Sequence, residues 1–226
     1  MTAPVKKPYT STLRAAQARA TRRAIVDAAA RLFIQHGYGA TTIDAIAAAA
    51  GVSRKTVFTS VGGKTEALKL ALDWAIAGDD EPVPMLERPH IKAMQHEPDA
   101  RRILASYARH VRQTAARTAP LHQVVHAAAG LDADIRALAE DGRAQRLRGM
   151  RVMAQHLADR GALKPGLTPL EAADILWLLN DPSVYHRLVI EQKWDPDRYQ
   201  DWLADALISL LIPASYQPET VPPPDP

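Results

Sequence analysis

The stretch from residue 41 to residue 64, TTIDAIAAAAGVSRKTVFTSVGGK, constrains the fold more than any other part of the chain. Apolar side chains recur at i, i+3, i+4 and i+7 from Ile43, which predicts an amphipathic helix. Gly51 stands where a helix ends and the backbone needs a left-handed residue, and Ser53 is suited to cap a second helix over residues 54–61. Two short helices joined by such a turn, followed by the start of a third, predict a helix-turn-helix.

The second helix of this motif has two different faces. Val57 and Val61 lie one turn apart and are expected to face the core, whereas the basic and hydroxyl side chains fall mostly on the other side. A helix of this kind is suited to the major groove of DNA. The side chains expected to face the groove are Arg54, Lys55, Thr56 and Thr59, and those expected to hold the DNA backbone are Thr42, Ser53, Phe58 and Lys64. Arg22, near the start of a predicted helix over residues 18–36, is a further candidate contact.

Lys64 begins the next helix, which is predicted to run to about Ala77. A cation in the first turn opposes the helix dipole at a cost of roughly a few tenths of a kcal/mol. A phosphate group bound at this helix N-terminus would offset that cost, so the position favours a DNA-backbone contact over a side chain that is only solvated.

The positive charge is concentrated at the N-terminal end. Residues 1–64 carry 10 Lys and Arg against 2 Asp, a charge of +8, and the remaining residues carry 18 against 23, a charge of −5, which gives the net charge of +3. A positive field around a helix-turn-helix is typical of a nucleic-acid-binding end. Charge alone leaves a solubilising basic tail equally open, and the motif favours DNA.

Composition narrows the fold class and the chemistry. The chain is rich in Ala, Leu and Arg, only 5% aromatic and poor in β-branched runs, so an all-α fold is expected. The absence of cysteine excludes disulfides, thiolate metal sites and a cysteine nucleophile. The N-terminus lacks the apolar segment of a secretory signal, and no apolar run approaches the roughly 20 residues of a membrane helix. We therefore expect a cytoplasmic protein with no membrane contact.

Breaks in the helical pattern divide the chain. Residues 78–98 contain four prolines and a run of acids, which predicts a linker with one turn of helix near residues 91–95. Pro120 is expected to open a short helix, and Thr168 with Glu171 predicts a capping box at the start of a later one. The predicted units are a disordered basic arm at 1–17, an N-terminal three-helix helix-turn-helix domain with its linking helix at 18–77, the linker at 78–98, a larger helical domain at 99–212 and a disordered Pro-rich tail at 213–226.

Two segments resemble a known family in spacing as well as residue type. They are the pattern R-x-x-I-x-x-A-A-x-x-L-F-x-x-x-G-Y over residues 22–38, and TTIDAIAAAAGVSRKTVF followed by Lys64-x-x-x-Leu68. Both resemble the DNA-binding domain of the TetR family of one-component bacterial transcription regulators, over about residues 18–75. The chain departs from the family at Phe58, Ser60 and Val61, where Tyr, an aromatic residue or His, and Phe are usual. Phe58 can pack on the DNA backbone but cannot donate a hydroxyl hydrogen bond to a phosphate.

The resemblance implies a regulator, commonly a repressor, that a small-molecule effector releases from DNA. It also implies a ligand cavity among the middle helices of the larger domain, which needs a few polar groups in an apolar lining. The candidate ligand-binding residues are Tyr107, His110, His126, Trp177 and Asn180. For each of them, a satisfied polar residue of the core is the alternative.

The last two helices contain more apolar surface than one face needs. The side chains concerned are Trp177, Val184, Tyr185, Leu188, Val189, Trp194, Tyr199 and Trp202. Such an excess indicates a self-association face, with burial inside one monomer as an equal alternative. The resemblance implies a homodimer through the last two helices. A two-fold dimer would read palindromic double-stranded DNA.

Nothing in the sequence favours an enzyme. His122 and His126 have a ligand-like i, i+4 spacing, but their segment offers no third ligand for a metal. No nucleophile elbow, phosphate-binding glycine loop or nucleotide fingerprint is present, so no catalytic residue, metal or cofactor is expected. A helical small-molecule-binding protein with weak or vestigial DNA binding is the alternative to a DNA-binding regulator.

Overall fold

The N-terminal head of the molecule consists of four helices built around the predicted motif. In the computed structural model, which describes residues 9–218 and their side chains from residue 13, these helices are α1 (Tyr9–Ala40), α2 (Ile43–Ala50), α3 (Arg54–Val61) and α4 (Lys64–Ala77). No strand occurs between residues 9 and 218, and the prediction of an all-α fold with an N-terminal helix-turn-helix is confirmed.

Local sequence signals set the ends of the head helices. The Thr42 hydroxyl accepts a hydrogen bond from the Ala45 amide and the Ser53 hydroxyl from the Thr56 amide, each at 3.1 Å, so both motif helices are capped and the predicted cap at Ser53 is present. Gly51 ends α2 in the left-handed region at φ 68°. The bounds of α2, α3 and α4 agree with the sequence prediction.

The remaining helices form the body. In order they are a 3₁₀ turn (Met85–Glu87), α5 (Pro89–His96), α6 (Ala100–Ala129), α7 (Ala133–Asp159), α8 (Pro169–Leu179), α9 (Pro182–Tyr185), a π-helical turn (His186–Glu191) and α10 (Pro196–Leu211). The predicted capping box at α8 is present: the Glu171 amide donates to the Thr168 hydroxyl at 3.3 Å, and the Thr168 amide donates to the Glu171 carboxylate at 2.9 Å.

Two hydrophobic cores hold these helices, and α6 belongs to both. Its residues from Ala100 to Ala119 pack in the body core with α7, α8 and α10. Its next turns, with Leu121, Val124 and Val125, belong to the head core and pack against α1 and α4. The predicted larger domain therefore contributes side chains to the core of the predicted DNA-binding domain.

Pro120 does not open a short helix, because it lies inside the continuous helix α6. A proline in a helix interior removes one backbone hydrogen bond and crowds the preceding turn. Here Thr118, Ala119 and Leu121 beside it are all buried, so packing on both sides outweighs the local preference. The prediction of a break at this point is wrong.

The predicted disorder of residues 1–17 is wrong from Tyr9 onward, because α1 begins there. The segment after Pro8 is rich in Ala, Arg and Gln and contains no helix breaker, so helix propensity carries α1 through residues that are exposed. Residues 1–8 lie outside the described part of the chain. The segment 78–98 is also more ordered than a linker, since it contains the 3₁₀ turn and two turns of α5.

The predicted disorder of the tail is wrong for residues 213–218. Tyr216 is 8% exposed, and its hydroxyl accepts a hydrogen bond from the Ala100 amide at 3.2 Å. Arg101 lies over the Tyr216 ring at 5.3 Å and donates to the carbonyl oxygens of residues 213, 214 and 216. These contacts attach the end of α10 to the start of α6. Residues 219–226 lie outside the described range.

Tyr216→Ala is expected to lower the free energy of unfolding by about 3 kcal/mol, because it removes a buried ring and opens a cavity. Chemical denaturation measures the loss. Ser215→Ala is the matched control at the neighbouring exposed position and is expected to stay within about 0.5 kcal/mol of the natural protein. Equal stability of the two variants would mean that the tail does not contribute to the fold.

Candidate DNA-binding surface and ligand-binding core

The exposed side of α3 is the candidate DNA-binding surface. Val57 is fully buried and Val61 is 7% exposed, so both anchor α3 in the head core. The opposite side chains Arg54, Lys55 and Thr59 are exposed, as predicted from the helix period. The result is a rigid helix that presents basic and hydroxyl groups to the solvent, with its N-terminal amides capped by Ser53.

Arg54 is held in place by two neighbours in the free protein. Its Nη1 atom lies 2.7 Å from the Asp44 carboxylate on α2, and its guanidinium lies 5.6 Å from the centre of the Phe58 ring. Phe58 is 47% exposed, which is unusual for a large apolar side chain on a polar face. The arginine therefore spans the two helices of the motif at the surface. Thr56 is half-buried, and its hydroxyl bonds to that of Ser53 at 2.8 Å.

Lys64 contacts the end of α1. Its Nζ atom donates to the Tyr38 carbonyl oxygen at 3.0 Å and lies 4.0 Å from the centre of the Tyr38 ring. The negative group at the N-terminus of α4 is Glu66, whose carboxylate accepts from the Gly63 amide at 2.9 Å. Lys64 therefore has a structural contact of its own, and its phosphate contact stays a prediction.

Two adjacent carboxylates join the head to the body just after α4. Asp80 accepts hydrogen bonds from Arg19 at 2.7 and 2.8 Å and from Arg23 at 3.0 Å, and its side chain is only 3% exposed. Asp79 accepts two hydrogen bonds from the buried Arg88 at 2.7 and 2.9 Å. The hydrogen bond from Arg19 lowers the pKa of Asp80 to about 2, and that from Arg88 holds the pKa of Asp79 well below its usual range.

This arrangement places Arg22 at the far end of the head. Arg22 is exposed on α1 between the two arginines that bind Asp80, at the carboxyl end of α4. Lys64 lies at the other end of that helix, and 14 residues of α-helix span about 21 Å. The structure therefore does not bring Arg22 next to Lys64, and its role in DNA binding stays a prediction.

Arg117 of α6 reaches the carboxyl end of α4 directly. Its Nε atom donates to the Ala75 carbonyl oxygen at 2.7 Å and its Nη2 atom to that of Ile76 at 3.3 Å. A cation at the carboxyl end of a helix also complements the helix dipole. Arg117 thus ties the body helix that enters both cores to the helix that leads to the predicted DNA-binding surface.

Three of the five candidate ligand-binding residues come together in the body. The Tyr107 hydroxyl donates to Met150 Sδ at 2.8 Å, and the Asn180 amide donates to the same sulfur at 3.8 Å. Trp177 lies one turn before Asn180, with the Arg146 guanidinium 5.1 Å from its ring centre. Burial raises the pKa of Tyr107, whereas the neighbouring Arg146 cation opposes that shift.

The other two candidates lie elsewhere. His110 packs against His90 of α5 with ring centres 5.0 Å apart, and burial lowers its pKa to about 4. His126 is exposed, 19 residues or about 28 Å of helix beyond Tyr107. The structure does not bring either histidine to the group around Met150, because one lies on the side of α6 that meets α5 and the other near its end.

Sequence reasoning did not assign four residues to this group, namely Arg146, Asp181, Met150 and His122. Arg146 lies 2.5 Å from Asp181 and stacks on Trp177, and Met150 lies one helical turn after Arg146. His122 lies near the same ion pair, and burial lowers its pKa to about 4. The sequence offered one signal for this group: the charged Arg146 lies four residues before Met150, on the inward face of α7. The signal was not sufficient, because the partner of Arg146, Asp181, is 35 residues away in the sequence.

Most of the apolar residues assigned to self-association pack inside the monomer. Tyr185, Val189 and Tyr199 are buried in the body core, and the other five members of that set are partly buried against it. Different apolar side chains are exposed on the same helices: Leu170 and Leu178 on α8 and Leu210 on α10. A groove of about 760 Å³ runs along α10, and its lining includes Trp202 and Ala206 beside the charged Arg198, Asp201 and Asp205.

Comparison with known proteins agrees with the resemblance found in the sequence. The family described as bacterial regulatory proteins, tetR family, matches residues 25–69. The regulator TtgW of a Pseudomonas putida strain, described as an uncharacterized HTH-type transcriptional regulator, is 43% identical over 58 residues, which are 26% of this chain and 43% of TtgW. SrpR of Pseudomonas putida, an HTH-type transcriptional regulator, is 43% identical over 58 residues, or 27% of its length. The matched segment thus spans less than half of either relative.

Solved structures extend the likeness to the body. NalD, the secondary repressor of the MexAB-OprM multidrug efflux pump in Pseudomonas aeruginosa, is 23% identical with a TM-score of 0.66, over 87% of this chain and 98% of NalD. SmeT in complex with triclosan is 24% identical with a TM-score of 0.62, over 92% of this chain and 99% of SmeT. At these identities the likeness shows the fold. Residues 25–69 thus resemble the N-terminal domain of the TetR family, and the fold of the chain resembles those of NalD and SmeT.

No helix between residues 9 and 218 is both long and apolar enough to cross a membrane. Within the same range no three or more His, Asp or Glu side chains are grouped so that they could hold a metal ion.

Asp80→Asn is expected to lower the thermal midpoint at pH 6, because the Arg19 and Arg23 contacts lose their charge. The folded pKa of Asp80, about 2, lies below its unfolded value of about 3.9, so its contribution is complete above that value and is lost as the pH falls. The difference in thermal midpoint between Asp80→Asn and the natural protein should therefore shrink to about half of its pH 6 value by pH 3.

Glu81→Gln is the control for this test, since it removes an exposed neighbouring charge. It is expected to change the midpoint much less at pH 6. If the loss of thermal midpoint in Asp80→Asn stayed constant from pH 6 to pH 3, the ionised Asp80 carboxylate would not be the group that stabilises the fold.

Proposed function

We propose that the chain is a sequence-specific DNA-binding transcriptional regulator, a repressor that a small-molecule ligand releases from a palindromic operator. The observation that carries this proposal is the exposed basic and hydroxyl face of α3, held rigidly by the buried Val57 and by the Ser53 cap. The position of α3 in a TetR-family head supports it as well. Arg54, Lys55, Thr56 and Thr59 read the groove, and Thr42, Ser53, Phe58 and Lys64 contact the backbone.

Homodimerisation through α8 and α10 is part of the proposal. The exposed Leu170, Leu178 and Leu210 and the groove along α10 supply apolar surface on these helices. A two-fold dimer places two α3 helices about 34–36 Å apart, or at a multiple of that distance, on a palindrome. The expected location is the cytoplasm, where an operator is found.

Two observations support the release of DNA by a ligand. They are the cluster of polar side chains around Met150 in the body and the descriptions of two proteins of similar fold. SmeT was solved with triclosan, and SmeT and NalD are both described as repressors of multidrug efflux pumps. In this chain a ligand between α6, α7 and α8 would act on α6, which packs in the head core and binds the end of α4 through Arg117. These contacts offer a direct physical route from body to head.

One observation favours the second candidate, a ligand-binding protein with weak DNA binding. Phe58 and Ser60 replace the residues usual in the family, and Arg54 is paired with Asp44 in the free protein. That pair must open, or turn outward, before Arg54 can bind a base. The two candidates differ in whether the purified protein selects a DNA sequence.

Selection of random double-stranded DNA by the purified protein tests the proposed function. A repressor of this kind should recover a palindrome, with an affinity that falls steeply as salt rises, because phosphate contacts release counterions. Recovery of no common sequence at physiological salt would favour the ligand-binding protein with vestigial DNA binding.

On the recovered site, Arg54→Ala should cost about 1–3 kcal/mol and relax the preference at one base position of each half-site. Lys69→Ala, an exposed lysine of α4 that pairs with Asp73, is the matched control and should leave the sequence preference unchanged. An equal loss of affinity for every sequence with Arg54→Ala would make Arg54 a backbone contact.

Arg117→Ala should loosen the carboxyl end of α4, because the Ala75 and Ile76 carbonyl oxygens lose their cationic donor. Hydrogen exchange of the amides over residues 75–80 is expected to become roughly threefold to tenfold faster, where tenfold corresponds to about 1.4 kcal/mol. Arg109→Ala, an exposed arginine on the same helix, should leave this exchange unchanged. Equal exchange in both variants would remove Arg117 from the proposed route.

A further inference from the structure

The polar group in the body contains several hydrogen-bond donors that have a weak acceptor or none. Tyr107 is 4% exposed, and its hydroxyl donates to a thioether sulfur, as does the Asn180 amide. Sulfur of this kind is a weak acceptor. Buried donors normally find an oxygen or nitrogen acceptor, since an unsatisfied one costs about 1–3 kcal/mol.

Two more donors in the same place have no acceptor within the described part of the chain. They are the indole Nε1 atom of Trp177 and the Nε atom of Arg146, both buried. They lie beside each other, because the Arg146 guanidinium stacks 5.1 Å from the Trp177 ring centre. Trp177 is one turn from Asn180, and Arg146 is one turn from Met150 on α7, so these two donors lie close in sequence to the two that contact the sulfur.

The nearby carboxylate does not supply the missing acceptor. One oxygen of Asp181 lies 2.5 Å from Arg146 Nη2, and the other accepts from the Ser183 amide at 2.9 Å. The pair of Arg146 and Asp181 is neutral as a whole. Both oxygens of Asp181 are thus engaged elsewhere, and the site has no surplus negative charge to attract a cation.

The lining of the site is aromatic and adaptable. Trp177 and Tyr107 supply aromatic rings to the body core, and Met150, which contacts the Tyr107 hydroxyl, is unbranched and can turn aside to admit a ligand. Trp177 and Asn180 are half-buried, so the group lies just beneath the surface of α8. An aromatic molecule could stack here while its oxygen takes the place of the sulfur.

We propose that this site, between α6, α7 and α8, binds aromatic molecules that carry an acceptor oxygen, a carboxylate or a carbonyl, which replaces Met150 Sδ as the partner of Tyr107 and Asn180. The inference rests on the proposed function, because it names the ligand class of the regulator. Aromatic amines, which offer donors and a positive charge to a site already filled with donors, are rejected.

Three probes of one shape test the proposal on the full-length protein: 2-naphthoate, 2-acetylnaphthalene and 2-naphthylmethylamine. The first two carry acceptor oxygens, whereas the third is a cationic donor. Titration followed by tryptophan fluorescence and by the thermal midpoint should show binding of at least one acceptor probe, and at least tenfold weaker binding of the amine. Equal binding of the amine, or no binding of all three probes, would overturn the proposal.

Point variants locate the site. Tyr107→Phe keeps the ring and removes the donor, so it should lower the affinity for the acceptor probe by roughly tenfold. Tyr216→Phe is the matched control, because it removes a buried hydroxyl at the other end of the body part of α6. Met150→Leu removes the sulfur and keeps an apolar side chain, and it should bind the probe at least as tightly as the natural protein. A probe affinity that Tyr107→Phe leaves unchanged would place the ligand elsewhere.

A gel shift on the selected operator separates this inference from the proposed function. Operator binding without binding of any naphthalene probe would overturn the ligand class and leave the DNA-binding regulator standing. Probe binding that depends on Tyr107, in a protein that selects no DNA sequence, would support the ligand class and overturn the DNA-binding regulator.

Discussion

The position of α6 in two cores is the constraint on which the rest of the structure depends. Thirty residues of α-helix span about 45 Å, long enough to cross the body and reach under the head. Because its turns up to Ala119 are packed in one core and those from Leu121 in the other, the helix cannot shift in the body without disturbing the head. Pro120 lies at the point between the two cores, where one backbone hydrogen bond is missing. Bending of α6 therefore costs least at that point.

Local signals were sufficient to predict the head from the sequence. The hydroxyl caps at Thr42 and Ser53, the left-handed Gly51 and the spacing of Val57 and Val61 act within a few residues of themselves, so periodicity and capping chemistry determine α2 and α3. Two errors, unlike the missed start of α1, arose where distant packing decides. The ordering of Tyr216 depends on Arg101, 115 residues away, and the continuity of α6 depends on neighbours that bury both sides of Pro120. No local pattern contains that information.

The same distinction explains how far the sites could be predicted. The helix period determines which side chains of α3 face the solvent. The predicted exposure of Arg54, Lys55 and Thr59 is therefore correct, and their DNA contacts stay a prediction. Which side chains meet in the body depends on how α6, α7 and α8 pack. Of the five candidates for the polar groups of a ligand cavity, Tyr107, Trp177 and Asn180 come together. His110 and His126 lie on other parts of α6, because the need for polar groups in an apolar lining does not specify which parts of a long helix face the same space.

The donors around Met150 also bear on how a ligand could act. A ligand shifts a conformational equilibrium only by the difference between its free energies of binding to the two states. Hydrogen bonds from Tyr107 and Asn180 to a weak acceptor raise the free energy of the protein without ligand. A ligand oxygen would remove this cost only in a conformation in which both donors can reach it. Shifting a two-state equilibrium from 1:99 to 99:1 requires about 5.5 kcal/mol of such difference. Two donors at about 1–3 kcal/mol each approach that value, so a few buried hydrogen bonds between α6 and α8 suffice in magnitude to bias α6 and, through Arg117, the end of α4.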